Sequence, residues 1–197
     1  SLTSPPEAMY LLFGLRELTN LAPRYNIAPS QDVPVVRTGE NGVRELAMLH
    51  WGLIPSWAKQ RDFGAKTINA RAETVAEKPS FRAAFKKRRC LIPADGYYEW
   101  VKVGGGKQPY RFSRKDGGVF ALAGLWEHWQ DPADGETVES CSIIVREAGP
   151  MTAPLHHRMP AIVPPEQFEL WLGESGADQT EVAAVLGTPN EDGLKVY

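Results

Sequence analysis

The sequence predicts an α+β fold: a curved, barrel-like, mainly antiparallel sheet with peripheral helices, built as one domain over residues 1–197. Two observations carry this. Strand candidates at residues 90–92, 97–103, 110–113, 119–125 and 140–145 follow one another with Gly-rich or Asp-rich turns at 104–106, 116–118 and 131–135. That spacing suits antiparallel meanders better than strands alternating with crossover helices. The composition, 43% hydrophobic and 23% charged, is an ordinary globular mixture, and a chain of this length buries roughly 70% of the surface its unfolded form exposes.

Residues 5–18 predict a first helix, with Ser4 as N-cap, prolines in the first turn and an apolar face of Met9, Leu12, Phe13 and Leu15. Pro23 breaks the chain direction. Residues 33–37 and 45–51 read as strands joined through a turn at 39–42, and residues 59–65 as a polar loop. A second helical pattern covers residues 72–87, and two more, 165–172 and 178–186, close the chain. Gly104-Gly105-Gly106 follows a strand but leads into Lys107-Gln108-Pro109 rather than a helix, so it predicts a hairpin turn and not a phosphate loop.

Several classes are excluded. No apolar run approaches the roughly 18 residues of a membrane span, and residues 1–10 lack a basic-then-apolar leader, so a soluble, cytoplasmic protein without a membrane partner is expected. Cys90 and Cys141 form neither a Cys-x-x-Cys clip nor a disulfide framework, which leaves at most one bridge between them. His156 and His157 are neighbours and would point apart on a strand; no metal and no cofactor is predicted. Walker, Gly-x-Gly-x-x-Gly, Gly-x-Ser-x-Gly and His-Glu-x-x-His patterns are missing. The net charge of −2 hides a split of +9 over residues 1–115 and −11 over residues 116–197. Within the basic part, Lys78, Arg82, Lys86, Lys87, Arg88 and Arg89 form a run without acids, either a solvated helix face or a set of phosphate contacts.

The chemistry concentrates in polar-aromatic blocks. Tyr25-Asn26-Ile27-Ala28-Pro29 places an Asn before a proline turn, where it either satisfies backbone or binds. Trp51-Gly52-Leu53-Ile54-Pro55-Ser56-Trp57 offers two indoles around a corner, suited equally to stacking on bases and to a core. Asn69-Ala70-Arg71-Ala72-Glu73 sets Asn69 and Arg71 on one side if extended, with Arg71 free to hold a phosphate or to pair with Glu73. Ala94-Asp95-Gly96-Tyr97-Tyr98-Glu99-Trp100 puts Glu99 among aromatic neighbours, where desolvation raises a carboxyl pKa toward acid–base use; an outward edge position is the alternative. His156-His157-Arg158-Met159-Pro160 adds an imidazole beside a guanidinium. Together, Asn, Glu, His and Arg resemble an acid–base pocket next to an anion site.

These five blocks, in this order and through nearly the whole chain, resemble the SOS response-associated peptidase family. The resemblance implies a DNA-damage protein that senses abasic sites in single-stranded DNA and links itself to the ring-opened sugar aldehyde through an N-terminal cysteine, forming a thiazolidine. It implies that the same cysteine is exposed by autocatalytic removal of the initiator Met. Carried over by motif position, Glu99 deprotonates or orients the terminal amine, Asn69 positions the nucleophile and the linked sugar, and His156 protonates the sugar oxygen. Arg71 and Arg158 hold phosphates, Trp57 wedges or stacks against bases, and Asn26 and Trp51 join the DNA-binding set. A family member begins Met-Cys-Gly-Arg, whereas Ser1-Leu2-Thr3 looks like the text that follows such a start, so the nucleophile lies outside this numbering. Val196-Tyr197 likewise stops where a family chain is expected to continue. Without those residues, single-strand binding without crosslinking is expected. Arg146 stands where the resemblance suggests a small hydroxyl residue, which leaves phosphate contacts there open. The expected partner is single-stranded DNA containing abasic sites, bound by a monomer. Two other classes stay open: a nucleic-acid-binding module without chemistry, and a Ser or Cys hydrolase using His156, which lacks a nucleophile elbow.

Overall fold

A computed structural model describes residues 1–197. Helix α1 (Pro6–Phe13) starts at a proline and stops at Gly14, whose left-handed backbone (φ 64°) closes the helix with an N–H donated to the Tyr10 carbonyl. It is shorter than residues 5–18 because that glycine ends it, and Pro5, not Ser4, is its N-cap. The hydroxyl of Ser4 turns instead to Asp95. Strands β1 (Asp32–Thr38) and β2 (Arg44–Trp51) form an antiparallel hairpin. A short strand β3 (Asn69–Arg71) follows. The helical pattern over 72–87 yields turns and then only α2 (Arg82–Lys87), because Pro79 has no N–H to give and the preceding carbonyls of Thr74 and Lys78 close turns instead.

Strands β4 (Arg89–Ala94), β5 (Tyr97–Val103), β6 (Gly106–Arg114), β7 (Phe120–Gln130) and β8 (Thr137–Glu147) match the five sequence candidates, each equal to or longer than its candidate. β5 and β6 pair from Tyr97↔Phe112 to Val103↔Gly106, around a turn in which Gly104 and Gly105 both have positive φ. The chain ends through β9 (Arg158–Pro160), β10 (Ile162–Val163), α3 (Phe168–Leu172), α4 (Gln179–Ala184) and β11 (Leu194–Val196). An Asp178 and Glu181 capping box starts α4.

The strands close a ring. β7, β4, β1, β2 and β8 follow one another, and β8 returns to β7. Most pairings are antiparallel, as expected, but β8 pairs in parallel with β2 (His50↔Ser140) and with β3 (Asn69↔Ile143). β9 and β10 extend the ring, while β5, β6 and β11 form a second sheet. Alternation along the ring strands builds two cores. One face contributes Val33, Val35, Leu49, Cys90, Ile92, Leu122 and Cys141; the other contributes Val36, Leu91, Ala123 and Leu125 to a larger core closed by Met9, Phe13, Phe85, Phe168 and Trp171. Strands buried on both faces read as continuous apolar runs, which is why β4 shows no alternation. Cys90 and Cys141 are both free thiols in the first core, not a bridge, and burial pushes the pKa of each upward.

The basic run of residues 78–89 is divided by the fold. Lys78, Arg82, Lys86 and Lys87 are exposed. Arg88 pairs with the buried Glu127 at 2.6 Å. Arg89 is buried and donates to the carbonyls of Trp171 (2.5 Å), Phe85 (2.7 Å) and Lys86 (3.1 Å), tying α2, β4 and α3 together. It is a structural bolt rather than a phosphate ligand. Arg146 is also spent internally, on the Leu186 carbonyl at 2.6 Å.

The loop ahead of β9 is held by Glu191. Its carboxylate accepts the N–H groups of Met151 and Thr152, each at 2.9 Å, and the Thr152 carbonyl then accepts those of Leu155 (2.9 Å) and His156 (3.0 Å). Two outcomes are expected. Arg89→Ala leaves the buried carbonyls of Trp171 and Phe85 and the part-buried carbonyl of Lys86 without their donor and should lower unfolding free energy by about 3 kcal/mol in urea titration, with Arg89→Lys failing to restore it because an ammonium cannot span all three. Glu191→Ala should speed amide hydrogen exchange at Met151 and Thr152 by about tenfold or more while β7 and β8 stay protected.

Candidate functional site

A cleft of about 660 Å³ opens over the first core, with Val33, Ile92 and Leu122 in its lining. All five sequence blocks reach it. Asn26 comes from the loop before β1, Trp51 from the end of β2, Asn69 and Arg71 from β3, Glu99 from β5, and His156 and Arg158 from the loop and start of β9. β3 is the simplest case of local design. Its exposed–buried–exposed pattern points Ala70 into the core and leaves Asn69 and Arg71 on the cleft side.

β8 brings the remote pieces together. Its residues Ile143 to Val145 pair with β3, and Val145 to Glu147 pair with β9, so Arg71 and Arg158 reach the same cleft from strands hung on one backbone. The two guanidiniums differ in their partners. Arg158 is paired with Glu73 at 2.6 Å, taking the acid that sequence proximity offered to Arg71. Arg71 makes no ion pair and remains available to an anion.

Glu99 and His156 face each other, with Oε2 and Nδ1 3.9 Å apart. Burial raises the Glu99 pKa above the ordinary glutamate range, and the neighbouring imidazole acts in the opposite sense without cancelling it. His156 Nδ1 also lies 2.9 Å from the Arg158 carbonyl and 3.1 Å from the Arg158 N–H, which orients the ring. His156 and His157 do not point apart on a strand. They precede β9, and their rings lie 4.6 Å apart, because the turn at 151–155 and not a ladder sets their directions.

The two indoles of the corner block have separate settings. Trp51 is half-buried, lines the cleft and donates its Nε1–H to the Ile68 carbonyl at 2.9 Å. Trp57 lies outside the cleft lining, 54% exposed and edge-on to Phe63 at 5.1 Å. The rest of the block makes the corner itself. Gly52 and Gly64 cross backbone to backbone, so that a Cβ on Gly52 would sit 2.8 Å from the Gly64 oxygen, while Leu53 and Ile54 are fully buried.

Sequence reasoning passed over three neighbours of this cleft. Trp100 is 54% exposed and lines it; the signal was its place in the aromatic block beside Glu99. Ser1 also lines it. Asp95, given no role of its own within the Ala94–Trp100 block, receives hydrogen bonds from Ser1, Thr3 and Ser4. No helix is long and apolar enough to cross a membrane.

Comparison with known proteins gives the family and the fold. The family model for SOS response associated peptidase matches residues 1–197. The chain is 40% identical over 177 residues to the abasic site processing protein YoqW of Bacillus subtilis, covering 89% of this chain and 78% of that protein. It is 33% identical over 180 residues to the abasic site processing protein HMCES of Gallus gallus, covering 76% of this chain and 54% of that protein. Among solved structures, a Bacteroides thetaiotaomicron protein superposes with a TM-score of 0.88 at 31% identity, covering all of this chain and 89% of its own. A Bordetella bronchiseptica protein superposes at 0.83 and 28% identity, covering 99% and 95% of the respective chains. With the family model matched from Ser1 to Tyr197, this chain belongs to the SOS response associated peptidase family.

Proposed function

We propose that this protein processes abasic sites in single-stranded DNA by capturing the ring-opened sugar aldehyde on an N-terminal cysteine that precedes Ser1. The observation that carries this reading is the convergence, in one cleft, of Ser1 with Glu99, His156, Asn69 and Arg71. The relatives named as abasic site processing proteins support it. An aldehyde calls for this set: an amine nucleophile, a thiol, a group to take a proton and a group to give one.

His156 gives a proton to the ring oxygen of the sugar hemiacetal as its bond to C1 breaks, and the C1 hydroxyl loses its proton to leave the open aldehyde. Glu99, ionised, takes a proton from the terminal ammonium, the free amine adds to the aldehyde carbon, and the resulting carbinolamine loses water to leave an imine. The cysteine sulfur adds to the imine carbon, the imine nitrogen regains a proton, and the thiazolidine closes. Asn69 holds nucleophile and sugar in register, while Arg71 and Arg158 bind flanking phosphates as charge-assisted donors. Trp57 and Trp51 serve the bases and cleft wall on either side, and Asn26 lines the rim. Contacts to phosphate and to a missing base carry little sequence information, so lesion and not sequence is read. The same cysteine is exposed by removal of the initiator Met, with Glu99 and His156 again handling protons.

The test combines intact mass with a denaturing gel. Protein shown by mass to carry an N-terminal Cys, incubated with single-stranded DNA holding one abasic site, should give a denaturant-resistant adduct. Glu99→Gln and His156→Ala should slow adduct formation by about tenfold or more with affinity held within about twofold. Because Glu99 must be ionised to act, the rate should rise with pH through its raised pKa, and Glu99→Gln should remove that limb. A Cys-bearing protein that forms no adduct, or variants that lose binding and reaction equally, would leave a binding module without chemistry.

A further inference from the structure

We propose that Asp95 is a positioning residue for the nucleophile: it anchors Ser1–Ser4 so that the chain start is delivered into the cleft beside Glu99. This rests on the abasic-site reading above. Asp95 is only 6% exposed, and its carboxylate is aimed at the beginning of the chain rather than at solvent or ligand. Oδ2 accepts the N–H and hydroxyl of Thr3, the latter at 2.7 Å, and the N–H of Ser4 at 3.0 Å. Oδ1 accepts the Ser1 hydroxyl at 2.8 Å. That is close to the full acceptor capacity of a carboxylate, supplied from residues more than ninety positions away.

The anchor is braced from both sides. The Arg111 guanidinium reaches Asp95 Oδ1 at 3.5 Å and its carbonyl at 3.4 Å by lying against Gly96, where any Cβ would come within 2.7 Å of Nε. This explains why glycine follows Asp95. Arg111 in turn donates to the Tyr197 hydroxyl and exchanges backbone bonds with Tyr197, which locks the hairpin to β11. On the other side, buried Leu2 exchanges both backbone bonds with Arg24 (2.8 and 2.7 Å), two residues before Asn26, which lines the cleft.

Asp95 and Glu99 lie on one connection, joined by Gly96 and the first residues of β5. The acid that holds the nucleophile's carrier segment and the acid that deprotonates the nucleophile therefore move as one piece. Bimolecular capture becomes intramolecular delivery, where a displacement of about 1 Å costs on the order of a hundredfold in rate. The hydrogen bonds outweigh the opposing effect of burial and keep the Asp95 carboxyl below its usual pKa, so the anchor stays charged over the working range.

The experiment is single-turnover adduct formation at saturating abasic-site DNA, with affinity read separately on DNA holding a tetrahydrofuran site, which has no aldehyde. Asp95→Asn in the Cys-bearing protein should slow the saturated rate by about tenfold or more, with tetrahydrofuran-DNA affinity within about twofold and the pH dependence set by Glu99 retained. Thr3→Val removes one donor while keeping shape and should slow the rate severalfold; Thr3→Ser keeps the hydroxyl and should restore it. Amide exchange at Leu2, Thr3 and Ser4 should accelerate in Asp95→Asn. An unchanged saturated rate in both Asp95→Asn and Thr3→Val, or a loss of affinity equal to the loss of rate, would overturn the proposal. A wild-type Cys-bearing protein that makes no adduct overturns the underlying reading instead.

Discussion

β8 is the strand on which both ring and cleft depend. Its first half pairs with β7 on one edge and β2 on the other, which closes the ring; its second half pairs with β3 and β9, which sets the cleft walls. Because side chains alternate along a strand, a slip of one residue in the β3 pairing would send Asn69 and Arg71 into the core and Ala70 outward. The buried Ser140 hydroxyl, accepting the Ile54 N–H at 2.8 Å, pins the parallel join where antiparallel geometry would have needed only a hairpin. Register here is a chemical specification as well as a structural one.

The electrostatics of the cleft follow from how its charges are partnered. Arg71 is free, Arg158 is half-satisfied by Glu73, and Glu99 is desolvated opposite His156. A cluster so composed can accept an anion and exchange a proton without the strong positive field of a general polyanion binder. Part of the basic charge in the first part of the chain is committed to structure: Arg37 bridges Glu45 and Glu139, Arg44 grips Glu174, Arg88 pairs with the buried Glu127, and Arg89 holds buried carbonyls. The Arg37, Arg44 and Arg88 pairs join acids of the second part to bases of the first, which offsets some of the charge split in space.

Two carboxylates lie outside this proton chemistry and organise what surrounds it. Asp95 gathers Ser1–Ser4, and Glu191 gathers the loop that carries His156. Both use several converging N–H or O–H donors, which satisfies backbone groups that the loops would otherwise leave unpaired. The irregular segments on either side of the cleft thus gain the rigidity that their lack of regular structure denies them, and the cleft is bounded by held loops over a packed sheet.

What the sequence by itself determined were features with a local cause. The five strands and their turns were legible because β-alternation and glycine punctuation act over a few residues, and the hairpin at Gly104-Gly105 needs only two residues able to take positive φ. The residue inventory of the cleft was legible as blocks for the same reason. The tertiary structure alone decided the partners. Glu73 went to Arg158, 85 residues away, and not to Arg71; Arg89 was drawn into the core by carbonyls including that of Trp171, 82 residues on; and Trp57 was left outside the cleft while Trp51 entered its wall. β3 and β9, at three residues each, are too short to carry a pattern, and exist because β8 offers them an edge. Asp95 carried no signal of its own in the sequence, since the donors that give it a role lie more than ninety positions away and only folding brings them into hydrogen-bonding distance.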